Sequence, residues 1–274
     1  MTQIQPNARV SVRIAYEDDD VLVVEKPSRV VTMPGIGHEH DSLLNGLFAT
    51  HGSRLAQLGG DRSFGLLHRL DRETSGLVIV ALRQQAYEHI FQQFKQRSIA
   101  KFYWALVHKP PRTDRGVIRL AIEEVSTRVD KYTTRKMARI SRSGKPALTA
   151  YRVLQNNDLA ALIEARPVTG RLHQVRVHLD AIGCAILGDE WYGPRAVADA
   201  APRLALHAHR LRFVHPMTGQ PVDVRSRWPG DLKRTLTRVR LMRPDLAPES
   251  QERAHEASSD PIGQDDPTLG DGDD

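Results

Sequence analysis

Cysteine is almost missing from this 274-residue chain, where Cys184 stands alone. No intramolecular disulfide can form, and a metal cage built from cysteines is excluded. A long apolar run is missing as well. The longest stretch, LVIVAL at 77–82, has the length of a strand and falls far short of the roughly 18 residues of a membrane helix. The opening MTQIQPNARV is polar and lacks the apolar stretch of a signal peptide. A cytoplasmic protein without membrane contact is the expectation. No internal repeat is visible, and no linker precedes residue 243.

Acidic charge is scarce over most of the chain. The formal net is +6, but residues 1–243 hold 38 of the 39 Lys+Arg and 23 of the 33 Asp+Glu, a net of +15. From Pro244 onward there are ten acidic residues against Arg253. A body this basic attracts a polyanion, and in a cytoplasm the obvious one is nucleic acid; a merely soluble basic surface is the bland alternative. The stretch 244–274 is rich in Pro, Gly, Asp and Ser with few large apolar residues, so it reads as an acidic disordered tail. Residues 1–243 read as one catalytic body.

Periodicity fills in that body. Residues 11–26 read as two short strands joined by a Glu-Asp-Asp-Asp turn, and Asp41 is placed to cap a helix starting SLLNGLFATHG. GLLHRL reads as a strand entering a turn at DRETSG, with LVIVAL as the buried strand leaving it. Ala86, Ile90, Phe91 and Phe94 recur at helical spacing, and KFYWALVHK alternates as a strand. The basic stretch 115–145 reads as a mobile hairpin or loop. ALTAYRVLQ and ALIEARP read as a hairpin, RLHQVRVHLDAIG as a helix stopped by Gly183, and LHAHRLRFVHP and PVDVRS as late strands. The expected class is α+β: a mixed, mostly antiparallel central sheet with flanking helices.

Three segments carry chemistry. In GLLHRLDRETSGLVIVA, Asp71 sits between Arg69 and Arg72 where an apolar strand meets a turn. Nearby guanidinium groups keep a carboxylate ionised, which suits a nucleophile or a base. The alternative, an Asp that merely caps a turn, stays open on these residues alone. The order differs from the kinase His-Arg-Asp loop, and no Gly-rich phosphate loop precedes it. In RPVTGRLHQVRVHLDAIGCAILGD, the residues Arg171, His173, Arg176 and His178 crowd a short stretch that can bind a phosphate or pair with a distant carboxylate. A solvated basic helix is the bland reading. In KFYWALV, Tyr103 faces away from Phe102 and Trp104 and can stack on a base that has left its helix, although alone the stretch reads as core packing. As metal ligands, His173 with His178 and His207 with His209 lack neighbouring carboxylates and sit among arginines, so no metal is expected.

Together these segments resemble the RluA-type pseudouridine synthases. HRLDRETSG matches the family's His-Arg-Leu-Asp followed by Thr-Ser-Gly, and GRLHQVRVHL matches its Gly-Arg-x-His-Gln motif. ILGDEWYG, VLVVEKPSRVVTMPG, GKPALTAYRVL and LALHAHRLRFVHP follow the family in order, with Arg29 standing where relatives usually carry Gly. The resemblance implies a reaction without cofactor or metal: uracil is detached at nitrogen 1, rotated, and reattached through carbon 5. It implies Asp71 as the essential carboxylate and Arg176 as the arginine that pairs with it. Tyr103 is the implied stacking tyrosine, and Arg69 the residue that fills the space of the flipped nucleotide. The expected partner is ribosomal or transfer RNA, bound by a monomer. Phosphate contacts are expected from Arg69, Arg72, Arg171, His173, Lys131, Arg135, Lys136, Arg139 and Arg142. A non-catalytic RNA-binding protein or chaperone is the alternative class; a glycosidic hydrolase using Asp71 with Glu73 is a third.

Overall fold

The computed structural model describes residues 4–128 and 134–246. In chain order the strands are β1 (Arg13–Glu17), β2 (Val21–Lys26), β3 (Ser75–Ala81), β4 (Ala100–Val107), β5 (Arg115–Arg119), β6 (Ile122–Arg128), β7 (Thr134–Ile140), β8 (Leu148–Asn156), β9 (Ala161–Pro167), β10 (Leu206–Val214) and β11 (Pro221–Arg225). The main helices are α1 (Leu43–Leu58), α2 (Gln84–Lys95) and α3 (Gln174–Ala181). The chain divides into two compact units, Met1–Trp104 with Leu206–Arg227, and Ala105–Ala205 with Trp228–Asp274. No described helix is long and apolar enough to cross a membrane.

In the first unit, β2 pairs antiparallel with both β1 and β3, while β3 pairs parallel with β10 and β10 antiparallel with β11. Both faces of β3 are covered, so it reads as a continuous apolar run rather than an alternating one. Its Leu77 and Ile79 pack with Val21, Val23, Ile90, Ile99, Leu211, Phe213 and Val224. In the second unit, β8 pairs antiparallel with β5 and β9, and β6 with β7 forms a separate two-stranded ribbon. Ile122, Ala138, Ala147 and Val177 join that ribbon to α3. The architecture is the mixed, mostly antiparallel α+β class expected.

Several local expectations need correction. Asp41 does not cap α1. Ser42 does: its hydroxyl accepts from Asn45 N, and the Asn45 side chain accepts from Ser42 N, which together satisfy two otherwise orphaned amides. Asp41 instead pairs with His38. GLLHRL is not a strand; only Leu66 makes a bridge, to Val80. The ladder position beyond it is taken by the His68 ring, whose Nε2 accepts from Ile79 N at 2.9 Å. The stretch 115–145 holds β5 and then β6 and β7, which pair antiparallel as the expected hairpin on either side of 129–133, residues outside the described ones. Pro244–Leu246 forms a short 3-10 turn, and 247–274 lie outside the described residues.

Gly76 shows why the Asp71 turn ends in Thr-Ser-Gly. It has φ 124°, and a Cβ there would lie 2.3 Å from the Ala208 carbonyl oxygen on β10. Only glycine permits both the backbone angle and the approach of the parallel strand. Gly76→Ala is expected to lower the melting temperature by roughly 5–10 °C, from a cost of about 2–4 kcal/mol. A thermal melt followed by circular dichroism measures this, and an unchanged midpoint would contradict the packing described.

Candidate active site

Asp71 sits in a tight turn closed by a hydrogen bond from Thr74 N to Asp71 O at 3.1 Å. The segment after β2 holds that turn in place. Lys26 is 1% exposed, and its ammonium donates to the carbonyls of Pro27 (2.9 Å), Val30 (2.7 Å) and Arg72 (3.3 Å). Ser28 Oγ donates to Glu73 O at 2.6 Å. Thr32 Oγ1 donates to Leu70 O and accepts from Leu70 N. Three side chains of KPSRVVT thus bind the backbone at 70, 72 and 73, on both sides of Asp71. Arg29 lies in this strap with φ 66°. A left-handed angle costs an ordinary L-residue about 1–2 kcal/mol, a cost that a glycine at this position would not carry. Beyond the turn, the buried His207 ring bridges Ser75 Oγ, at 2.8 Å, and Ser226 Oγ, fixing the start of β3.

Tyr103 is buried on β4. Burial first, and then the negative charge of Asp71, push its phenol well above the usual range, so it stays protonated at neutral pH. Asp71 and Tyr103 are therefore electrostatic neighbours. Trp104 points the other way and stacks on His209, with centroids 3.9 Å apart. Two positions before Tyr103, burial lowers the Lys101 amine to about 8.

Arg176 is the largest fully buried side chain. Its Nε and Nη2 donate to Asp189 at 2.8 and 2.7 Å, a bidentate pair in which the two side chains are only 2% and 1% exposed. Asp189 also accepts from Trp191 N and Tyr192 N. The guanidinium then lies 4.9 and 5.0 Å from the Trp191 and Tyr192 rings. Tyr192 Oη in turn accepts from Ala138 N on β7 and hydrogen-bonds His173 Nδ1. Asp189 was not singled out from the sequence. Its signal was ILGDEWYG, where Gly188 has φ 77° and a Cβ would meet Arg203 O at 2.0 Å, the mark of a turn that aims the next carboxylate inward.

Comparison with known proteins decides the class. The family described as RNA pseudouridylate synthase matches residues 20–181. The chain belongs to that family. An RNA pseudouridine synthase of Bacillus subtilis named YlyB is 38% identical over 227 residues, covering 83% of this chain and 72% of the relative. Ribosomal large subunit pseudouridine synthase D of Zymomonas mobilis is 37% identical, covering 82% of this chain and 71% of the relative. The solved human RNA Pseudouridylate Synthase Domain Containing 1 is 29% identical, with a TM-score of 0.66 over 94% of this chain and 100% of that one. The protein is an RNA pseudouridine synthase, an isomerase, as the resemblance implied, and nothing favours the non-catalytic alternative.

The expected RNA contacts of the synthase are unevenly placed. Arg69 and Arg72 are exposed beside Asp71, with Arg72 also paired to Glu73. Arg135, Lys136 and Arg139 are exposed on β7, where Arg139 pairs with Glu123 and Arg135 lies 4.5 Å over the Trp191 ring. Arg142 is exposed in the turn that follows. Arg171 is partly exposed, with its Nε on Pro146 O. His173 is the exception: it is 7% exposed, in a left-handed conformation at the N-cap of α3, and occupied by Tyr192. That position supports Tyr192 rather than facing solvent. Lys131 lies outside the described residues.

The histidines weighed as metal ligands are engaged elsewhere: His178 with Thr149 Oγ1 and Leu120 O, His207 with its two serines, His173 with Tyr192, and His209 with Trp104. Among the described residues, donor atoms do come together at Asp18, Asp20 and His215, within 4.8 Å of one another. Asp18 there already accepts from Tyr16 Oη, Asp20 N, Val21 N and His215 Nε2, while His215 Nδ1 accepts from Met217 N and Thr218 N. Burial raises the Asp18 carboxyl, but these bonds outweigh it and leave it below the usual range.

Two outcomes follow from the buried charges of the synthase. Asp189→Ala leaves a buried guanidinium without its bidentate acceptor and is expected to cost about 3–5 kcal/mol in urea denaturation; a loss below about 1 kcal/mol would mean that Arg176 relaxes to solvent. His68 is held neutral, first by burial and then by the Lys101 charge, down to about 3. The unfolded chain takes up that proton near pH 6.5, so stability present above about 6.5 is lost as pH falls toward 3. Denaturation midpoints at descending pH should fall more steeply for the wild type than for His68→Gln, and parallel profiles would contradict this.

Proposed function

We propose that this synthase isomerises uridines of large-subunit ribosomal RNA, with Asp71 as the carboxylate that starts the reaction. The supporting observation is the Asp71 turn, clamped by Lys26, Ser28 and Thr32 and placed so that its charge acts on the Tyr103 phenol. The substrate follows from relatives named ribosomal large subunit pseudouridine synthase D and C, at 37% and 32% identity; transfer RNA is the second candidate. Such a substrate belongs to the cytoplasm, and the enzyme acts there as a monomer.

In the proposed reaction the target uridine leaves its stack, because a paired base hides its glycosidic bond. Asp71 either attacks the sugar at carbon 1 or takes the proton that opens the glycal route. In both routes the bond to nitrogen 1 breaks, the freed uracil turns, and the bond to carbon 5 forms with loss of the carbon 5 proton. Tyr103 stacks on the uracil. Its raised phenol stays protonated, so it serves through its ring face and as a neutral hydrogen-bonding group rather than as a standing phenolate. Arg176, already oriented by Asp189, supplies the reaction's fixed positive charge. Arg69 takes the space of the flipped nucleotide, and the exposed Arg72, Arg135, Lys136, Arg139 and Arg142 bind phosphates.

Asp71→Asn is expected to abolish turnover while RNA affinity stays within a few-fold, since one neutralised group removes the chemistry and spares the phosphate contacts. Tritium release from carbon-5-labelled RNA, with filter binding on the same samples, measures both. Near-wild-type release would end the assignment of Asp71. Tyr103→Phe should keep affinity and lose mainly rate; a large loss of affinity would place the phenol hydroxyl in binding instead.

A further inference from the structure

Among the described residues, Lys101 is a cation without a counterion. It is partly buried on β4, two residues before Tyr103 and on the same strand face. It makes no hydrogen bond or ion pair with any described residue; its Nζ instead sits 5.6 Å from the centroid of the Phe94 ring. The His68 ring packs on the same Phe94 at 5.2 Å. His68 Nε2 is spent on Ile79 N, so the neutral ring carries its proton on Nδ1, and that N–H also has no acceptor among the described residues. The two donors are close enough for the Lys101 charge to act on His68. Both groups pack against the Phe94 ring, and neither N–H has an acceptor among the described residues, so each is available to an oxyanion from outside. An ammonium held partly out of water without a counterion gains when an anion binds beside it.

We propose that His68 and Lys101 form a phosphate subsite that holds a phosphodiester of the RNA next to the target uridine. The subsite rests on the reading of Asp71 and Tyr103 as the uridine site. Lys101 lies roughly 7 Å along the strand from Tyr103, the rise of two residues, which brings a phosphate flanking the stacked nucleotide within reach. Lys101 does this work as a charge that no carboxylate among the described residues competes for. His68, in the motif that carries Asp71, adds a fixed neutral donor.

The test uses the full chain and unmodified large-subunit ribosomal RNA transcript. Wild type, Lys101→Gln and Lys101→Arg are compared for affinity across a salt series, for tritium release in parallel samples, and for melting temperature. Lys101→Gln should flatten the slope of log affinity against log salt by about 0.7–0.9, the loss of one phosphate contact, while Lys101→Arg keeps the wild-type slope. The free Lys101→Gln protein should melt no lower than the wild type, because a partly buried charge with no counterion among the described residues has been removed. An unchanged slope in Lys101→Gln, or a lower melting point with an unchanged slope, overturns the subsite. Raised melting of the wild type by inorganic phosphate alone, with no change of RNA slope in Lys101→Gln, overturns it too by assigning the anion to free phosphate. Failure of the Asp71 reading is seen separately, as a wild type that binds the transcript and releases no tritium.

Discussion

A charge taken out of water is costly unless hydrogen bonds or an opposite charge match it, and each unit of this synthase holds such a matched group at or beside a candidate site residue. In the first unit it is the Lys26 ammonium, saturated by the carbonyls of Pro27, Val30 and Arg72. Those bonds can form only if the strap after β2 lies against the Asp71 turn. The backbone at 70–73 is thereby fixed, with Ser28 and Thr32 completing the clamp. In the second unit it is the Arg176 guanidinium, fixed by Asp189 and covered by Trp191 and Tyr192. Tyr192 passes that constraint to β7, so the ribbon carrying Arg135, Lys136 and Arg139 is built onto the loop that covers Arg176.

The same constraint sorts the polar groups within each unit by what they are available for. Lys26 and Arg176 have protein acceptors and act as fixed parts. Tyr103 is held protonated by burial and by Asp71. Lys101 and His68 Nδ1 have no acceptor among the described residues, which separates them from the groups that hold the scaffold together.

Much of this was legible in the sequence because it rests on local pattern. The unbroken apolar run of β3, the helical spacing of α2 and the β8–β9 hairpin each follow from neighbours in the chain. HRLDRETSG and GRLHQVRVHL pointed to the family whose model matches residues 20–181. What escaped depends on contacts distant in sequence. The replacement of a strand by the His68 ring at Ile79, the clamp of Lys26 on Arg72, and the Arg176–Asp189 pair leave no periodic trace. Ser42 rather than Asp41 caps α1 because Asn45 can return the bond, a choice between adjacent good cap residues that composition alone does not make. His173 looked like an exposed basic residue by its neighbours Arg171 and Arg176, yet its left-handed backbone turns it into the core.

The most direct test of the central claim is pseudouridine mapping of total RNA from cells with and without this gene, complemented by either the wild type or Asp71→Ala. The account predicts a site in large-subunit ribosomal RNA that vanishes in the knockout, returns with the wild-type copy and stays absent with Asp71→Ala. A site restored equally by Asp71→Ala would contradict it and return Asp71 to a purely structural place in its turn.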